Sequence, residues 1–209
     1  MPAPDLMDLM WRYAQRGLVE WRDAPQELRR RAATCLLNQI AEDDHQASTT
    51  IRATYTEANA SALRFIPMPP IGMKGMERCF FLPIREKRDD GSFVVSFDLF
   101  VLVAQQNCLA FRFELADPPD HPHSYTHVQL CTRLVRKTLI LKVLPEWMPV
   151  SYPAFPVSAS GPVELFLAMA TSVHGHHRNG LARLLQDIFA SAPNDAKQYA
   201  ADLKSMLRT

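Results

Sequence analysis

Hydrophobic residues along this chain follow two different periods. Leu28, Ala32, Cys35, Leu36 and Ile40 recur at helical spacing, which gathers apolar side chains on one helix face. Farther on, Phe93, Val95, Phe97, Leu99, Val101 and Val103 take alternate positions, as do Leu109, Phe111, Phe113 and Leu115. That is the period of strands with a buried face. The segments RCFFLPI, YTHVQL and TLILKV complete a strand-like region from Glu77 to about Lys142, with Asp89-Asp90-Gly91 as the clearest hairpin signal.

Helices flank this region. The first runs from Pro4 and Asp5 to about Arg16, before Gly17. The second opens on Asp23 and Gln26 at capping-box spacing, with Pro25 tolerated in its first turn. In residues 45–77, TTIRATYTEA fits either a strand or a helix. IPMPPIGMKGM reads as a loop or linker whose apolar residues pack on something. Near the C-terminus, Ser160 and Pro162 open the apolar helix VELFLAMATSV, which Gly175 ends. Asn179 caps a helix built on Leu181, Leu184, Leu185, Ile188 and Phe189, and Ala196 to Leu207 form the last. The expected fold is therefore α+β. An antiparallel meander of about 4–5 strands (residues 77–143) packs against helices over 1–45 and 160–207, in a single domain spanning 1–209.

Register follows from the requirement that core faces coincide across a strand pair. For the two long alternating strands, Asp98 opposite Arg112 is favoured over a like-charge Asp98–Glu114 pair. The next pairing is expected to set Arg112 opposite His127 and Glu114 opposite Tyr125. Asp98, Arg112, Glu114, Tyr125, His127 and Gln129 then share the face away from the core. His121 and His123 sit at its rim.

Composition narrows the function classes. Hydrophobic residues make up 47% and charged residues 22%, enough apolar material for a core without disulfides or structural metal. The net charge of +1 supplies no global field for nucleic acid or anionic membrane, so nucleic-acid contact requires a local arginine patch. Arg29, Arg30 and Arg31 form such a run. They read as a solvated helix face unless Arg12, Arg16 or Arg22 converges on them. Cys35, Cys79, Cys108 and Cys131 show no C-x-x-C spacing and read as buried thiols of a cytoplasmic protein. No signal peptide or membrane span is expected. Phosphate-binding loop, dinucleotide-binding, nucleophile-elbow and zinc-protease motifs are absent from the sequence.

Candidate chemistry concentrates in FRFELADPPDHPHSYTHVQ, residues 111–129, which holds three of the seven histidines. Phosphodiester cleavage needs a general base, a general acid and a cation for the phosphorane charge. His127 and His123 can supply the acid–base pair, Arg112 the charge stabiliser and Glu114 an orienting carboxylate. Tyr125 can replace one histidine. No cofactor is required for this. His121, His123 and His127 with Asp117, Asp120 or Glu114 also make a mixed N/O set compatible with a divalent metal. For that site, His174, His176 and His177 are a second histidine cluster that could approach. His176 and His177 also read as helix-terminus residues. His45 reads as a solvated helix end. A solvated sheet surface carries the same residue types, with Arg112 merely paired to Asp98.

The R-x-E strand at Arg112–Glu114 followed by H-P-x-x-x-x-H-x-Q from His121 to Gln129 resembles small uncharacterised bacterial proteins, some toxin-like or encoded in mobile and defence loci. The resemblance covers residues 112–129 and implies a nuclease-like or phosphodiesterase activity in a defence or toxin-type system. The alternative expectation is a non-catalytic interaction subunit, with Ile66–Met76 and Trp147–Phe155 as exposed segments that bind a protein partner or a second copy.

Overall fold

The computed structural model describes residues 6–56, 63–70, 78–87, 93–102, 108–116, 125–131, 133–136, 139–142, 154–174 and Arg183. Three helices come first, α1 (Leu6–Arg22), α2 (Gln26–Cys35) and α3 (Asp44–Thr56). Eight strands follow: β1 (Ile66–Pro67), β2 (Arg78–Lys87), β3 (Phe93–Leu102), β4 (Cys108–Glu114), β5 (His127–Cys131), β6 (Arg133–Arg136), β7 (Leu139–Lys142) and β8 (Phe155–Pro156). Helix α4 spans Pro162–His174. The fold is α+β. Six strands form one antiparallel sheet in the order β1-β2-β3-β4-β5-β8, while β6 and β7 make a separate two-stranded ribbon. TLILKV thus lies in that ribbon, outside the main sheet. Asp89-Asp90-Gly91 and residues 184–209, which include most of the last two expected helices, lie outside the described residues.

Helix α1 does not stop at Gly17 but runs five residues past it. The glycine serves packing. A Cβ built there would stand 1.9 Å from the carbonyl oxygen of Pro67 and 2.8 Å from its carbon. Only a hydrogen side chain lets α1 seat this closely on β1. Helix α2 starts at Gln26, with Pro25 as its N-cap and no side-chain cap hydrogen bond, so Asp23 does not form the expected capping box. Its far end closes with two successive left-handed residues, Leu37 (φ 51°) and Asn38 (φ 58°). Leu37 N–H reaches Thr34 O and Asn38 N–H reaches Ala33 O at 2.7 Å, the paired bonds that satisfy the last carbonyls of a helix. TTIRATYT resolves as helix, within α3.

The sheet is buried on both faces. On the first, Phe81, Phe97, Leu99 and Phe113 pack with Leu9, Met10 and Tyr13 of α1 and with Leu165 and Phe166 of α4. On the second, Phe80, Phe100, Leu102, Cys108, Ala110 and Cys131 pack with Leu28, Ala32 and Leu36, the apolar stripe of α2 and its cap. The expectation of one buried and one solvated face is therefore corrected. The residues β3, β4 and β5 turn away from the first core belong to a second interior.

The apolar, proline-rich segment around Ile66 is also interior. Ile66 and Met68 are buried between α1 and β2, so the described start of Ile66–Met76 is interior and not the exposed docking segment expected there. Residues 71–76 lie outside the described residues. Phe155, by contrast, is 61% exposed on the two-residue edge strand β8.

Candidate functional site

The strand pairings fix which of the candidate residues meet. Between β3 and β4, Asp98 lies opposite Arg112, as the charge pattern requires. Between β4 and β5 the parity is as expected but the register is displaced by two residues. Arg112 faces Gln129 and Glu114 faces His127, in place of Arg112–His127 and Glu114–Tyr125. This register pairs Phe113 with Val128 and Phe111 with Leu130 on the first face, aromatic and branched partners that stabilise a sheet. It also releases Thr126 from the ladder. The Thr126 hydroxyl accepts from Ala116 N–H at 3.1 Å and donates to Ala159 O at 3.0 Å, while its carbonyl accepts from Val157 N–H. Thr126 thus ties β4, β5 and the approach to α4 together.

Two polar rows result on the second face. Asp98, Arg112 and Gln129 form one, and Ser96, Glu114 and His127 form the next. Direct cross-strand neighbours of this kind have Cβ atoms about 4.5–5.5 Å apart. The rows are closed to solvent at their key members. Ser96 is 3%, Asp98 1% and His127 0% exposed. Arg112 Nε–H donates to Asp98 Oδ1 at 3.0 Å. Burial pulls the Arg112 guanidinium down, but the charge and hydrogen bond of Asp98 outweigh it and hold the group above its ordinary value.

His127 is held by its own strand. Its Nδ1 lies 2.9 Å from the carbonyl oxygen of Tyr125. A carbonyl only accepts, so Nδ1 carries the proton of this hydrogen bond. The Tyr125 ring lies against the imidazole, centroids 5.3 Å apart, and is itself 44% exposed. Glu114 stands directly across from His127, in the neighbouring position a positioning carboxylate needs. Asp117, Asp120, His121, His123, His176 and His177 lie outside the described residues.

His127 and His174, the described members of the two histidine clusters, do not converge. His174 ends α4 and is buried on the first face, where its Nε2 shares a 2.6 Å hydrogen bond with the Tyr13 hydroxyl. The Tyr13 ring meets Phe81 and Phe166 edge-on, and burial pushes its phenol well above the usual value. His127 shares its face with Gln129 and Cys131, and Cys131 belongs to the second core. The sheet therefore lies between His127 and His174. Among the described residues, no group of three or more His, Cys, Asp or Glu side chains is placed to hold a metal ion.

A second region was visible in the sequence only as a run of arginines. Arg22 at the end of α1 and Arg29 and Arg30 on α2 line one open cavity of about 480 Å3, together with Trp21, Asn38 and Ile40. The convergence required of Arg22 is met. The Tyr13–His174 pair and Ser96 were missed. Tyr13 and His174 are 161 positions apart in sequence, and no local pattern connects them.

No helix among the described residues is long and apolar enough to cross a membrane. Comparison with protein-family models, with curated proteins and with solved structures finds no match to this chain.

Proposed function

We propose that the chain is a non-catalytic binding subunit of a larger assembly. The observation that carries this reading is the burial of His127, the residue at the centre of the candidate chemistry, which is 0% exposed. The buried Asp98–Arg112 pair beside it is the kind of polar contact that rigidifies and specifies a fold. Phe155 stands out in solvent on an edge strand, and edge strands present backbone groups to a second chain. Size-exclusion chromatography with light scattering tests the reading, on the protein alone and with the products of neighbouring genes. A stable complex that Phe155→Asp breaks is the expected outcome. A monomer in every mixture overturns it.

One observation favours a second reading, a histidine-centred phosphodiesterase or nuclease-like site. The Tyr125 carbonyl sets the His127 tautomer so that Nε2 holds the lone pair of a general base, with Glu114 opposite it and Arg112 one row away. Cleavage of single-stranded RNA or a cyclic nucleotide by the wild type, lost in His127→Gln with the thermal melt retained, is the outcome this reading requires. Equal activity in the variant, or none in the wild type, removes it.

A further inference from the structure

We propose that the cavity between the end of α1 and the outer face of α2 binds a phosphate-bearing ligand of nucleotide size. The site is separate from the polar rows of the sheet, and the inference holds under either reading above. Three guanidinium groups reach it from two helices, Arg22 from the last turn of α1 and Arg29 and Arg30 from α2. Its volume of about 480 Å3 falls within the roughly 300–1,000 Å3 of small-molecule sites. Trp21 and Ile40 add apolar lining beside the three arginines, a combination that suits a ligand with one flat apolar part and one anionic part.

The charges around the cavity explain how it can hold an anion on a chain of nearly zero net charge. Arg30 is forked onto Glu27, with two hydrogen bonds of 2.9 Å, and Arg22 Nη2 reaches Asp44 Oδ1 at 3.4 Å. Glu42 stands on the wall. Both ion pairs are exposed on each side, the setting in which such pairs contribute little. Among the described residues Arg29 has no carboxylate partner. A phosphate carries more charge than a carboxylate and accepts bidentate guanidinium bonds. It engages Arg29 first and then draws Arg30 and Arg22 from their exposed partners, which meanwhile hold both side chains near the cavity. Gln26, the first residue of α2, also lines the wall, so the positive end of the helix dipole adds to the same field.

Fluorescence anisotropy of a labelled eight-nucleotide RNA, with adenosine monophosphate and inorganic phosphate as competitors, tests the proposal on the full chain. Wild type is expected to bind. Arg29→Gln should weaken binding about tenfold, and the Arg22→Gln/Arg29→Gln/Arg30→Gln variant about a hundredfold or more. Arg29→Lys should recover part of the loss. Arg16→Gln removes an exposed arginine paired with Glu20, away from the lining, and should leave binding unchanged. Competition by the mononucleotide identifies a free nucleotide as ligand. Binding of the oligonucleotide with no such competition identifies a nucleic-acid chain. Absence of binding to all three probes overturns the proposal, as does a loss in Arg16→Gln equal to that in Arg29→Gln.

Discussion

The chain uses the same pair of functional groups, a guanidinium and a carboxylate, in two places with opposite outcomes. On the sheet, Asp98 and Arg112 meet at 3.0 Å with side-chain exposures of 1% and 22%. On α2, Glu27 and Arg30 meet at 2.9 Å with exposures of 55% and 60%. The distances barely differ, so environment sets the consequence. Removing one member of the buried pair strands a charge where water cannot reach it. Water solvates either member of the exposed pair at once, so that pair can open for a ligand. Backbone strain divides in the same way. Among the described residues, the positive-φ residues other than glycine are Leu37 and Asn38 at the α2 end, and Asn38 lines the open cavity, where a strained conformation is a frequent companion of binding.

Four predictions test this contrast, in falling order of expected effect. Asp98→Ala should cost about 3–5 kcal/mol in urea unfolding, and Asp98→Leu with Arg112→Met should recover most of that. A loss in Asp98→Ala no larger than in Glu27→Ala would mean that burial does not distinguish the two pairs. Next, Gly17→Ala should cost about 1–3 kcal/mol, although alanine is the better helix former, because the added methyl overlaps the Pro67 carbonyl. The same change should weaken phosphate binding, since α1 carries Arg22 to the cavity, and a neutral melting temperature would remove this account of the glycine. Leu37→Gly should raise stability by about 1 kcal/mol, because glycine takes the left-handed conformation without strain and the leucine is 52% exposed. A destabilised variant would assign Leu37 a packing role.

The smallest effect belongs to pH. The hydrogen bond from Arg30, helped by the charges of Arg30 and Arg31, lowers the Glu27 carboxyl below its ordinary 4.5 against an opposing desolvation. A lowered folded value means that any stabilisation is present above pH 4.5 and is lost as pH falls through the folded value. Melting temperatures of wild type and Glu27→Gln should therefore differ slightly at neutral pH and converge in acid. A gap that widens in acid contradicts the sign.

Alternation and charge were enough to read β3, β4 and their register, because Asp98 and Arg112 left one acceptable pairing. The displaced β4–β5 register was not legible, since it turns on Thr126 bonding to Ala116 and Ala159, and Ala159 belongs to a distant segment. The second buried face was signalled but passed over. Phe80-Phe81-Leu82 and Leu99-Phe100-Val101-Leu102 are continuous apolar runs, the mark of strands covered on both sides, and the polar alternates Ser96 and Asp98 drew attention from them. The arginine cavity was half legible. The run was plain, while the placing of Arg22 depended on α1 continuing through Gly17, which a local reading of glycine as a helix stop forbids.

The Tyr13–His174 hydrogen bond also has a temporal side. Ribosomes add roughly 5–20 residues per second, and 161 positions separate the two partners. Tyr13 therefore waits on the order of 8–30 s for the side chain that completes its setting. During that interval the apolar face of α1 lacks the cover that Leu165 and Phe166 provide in the finished protein. The N-terminal helix is made early and secured late.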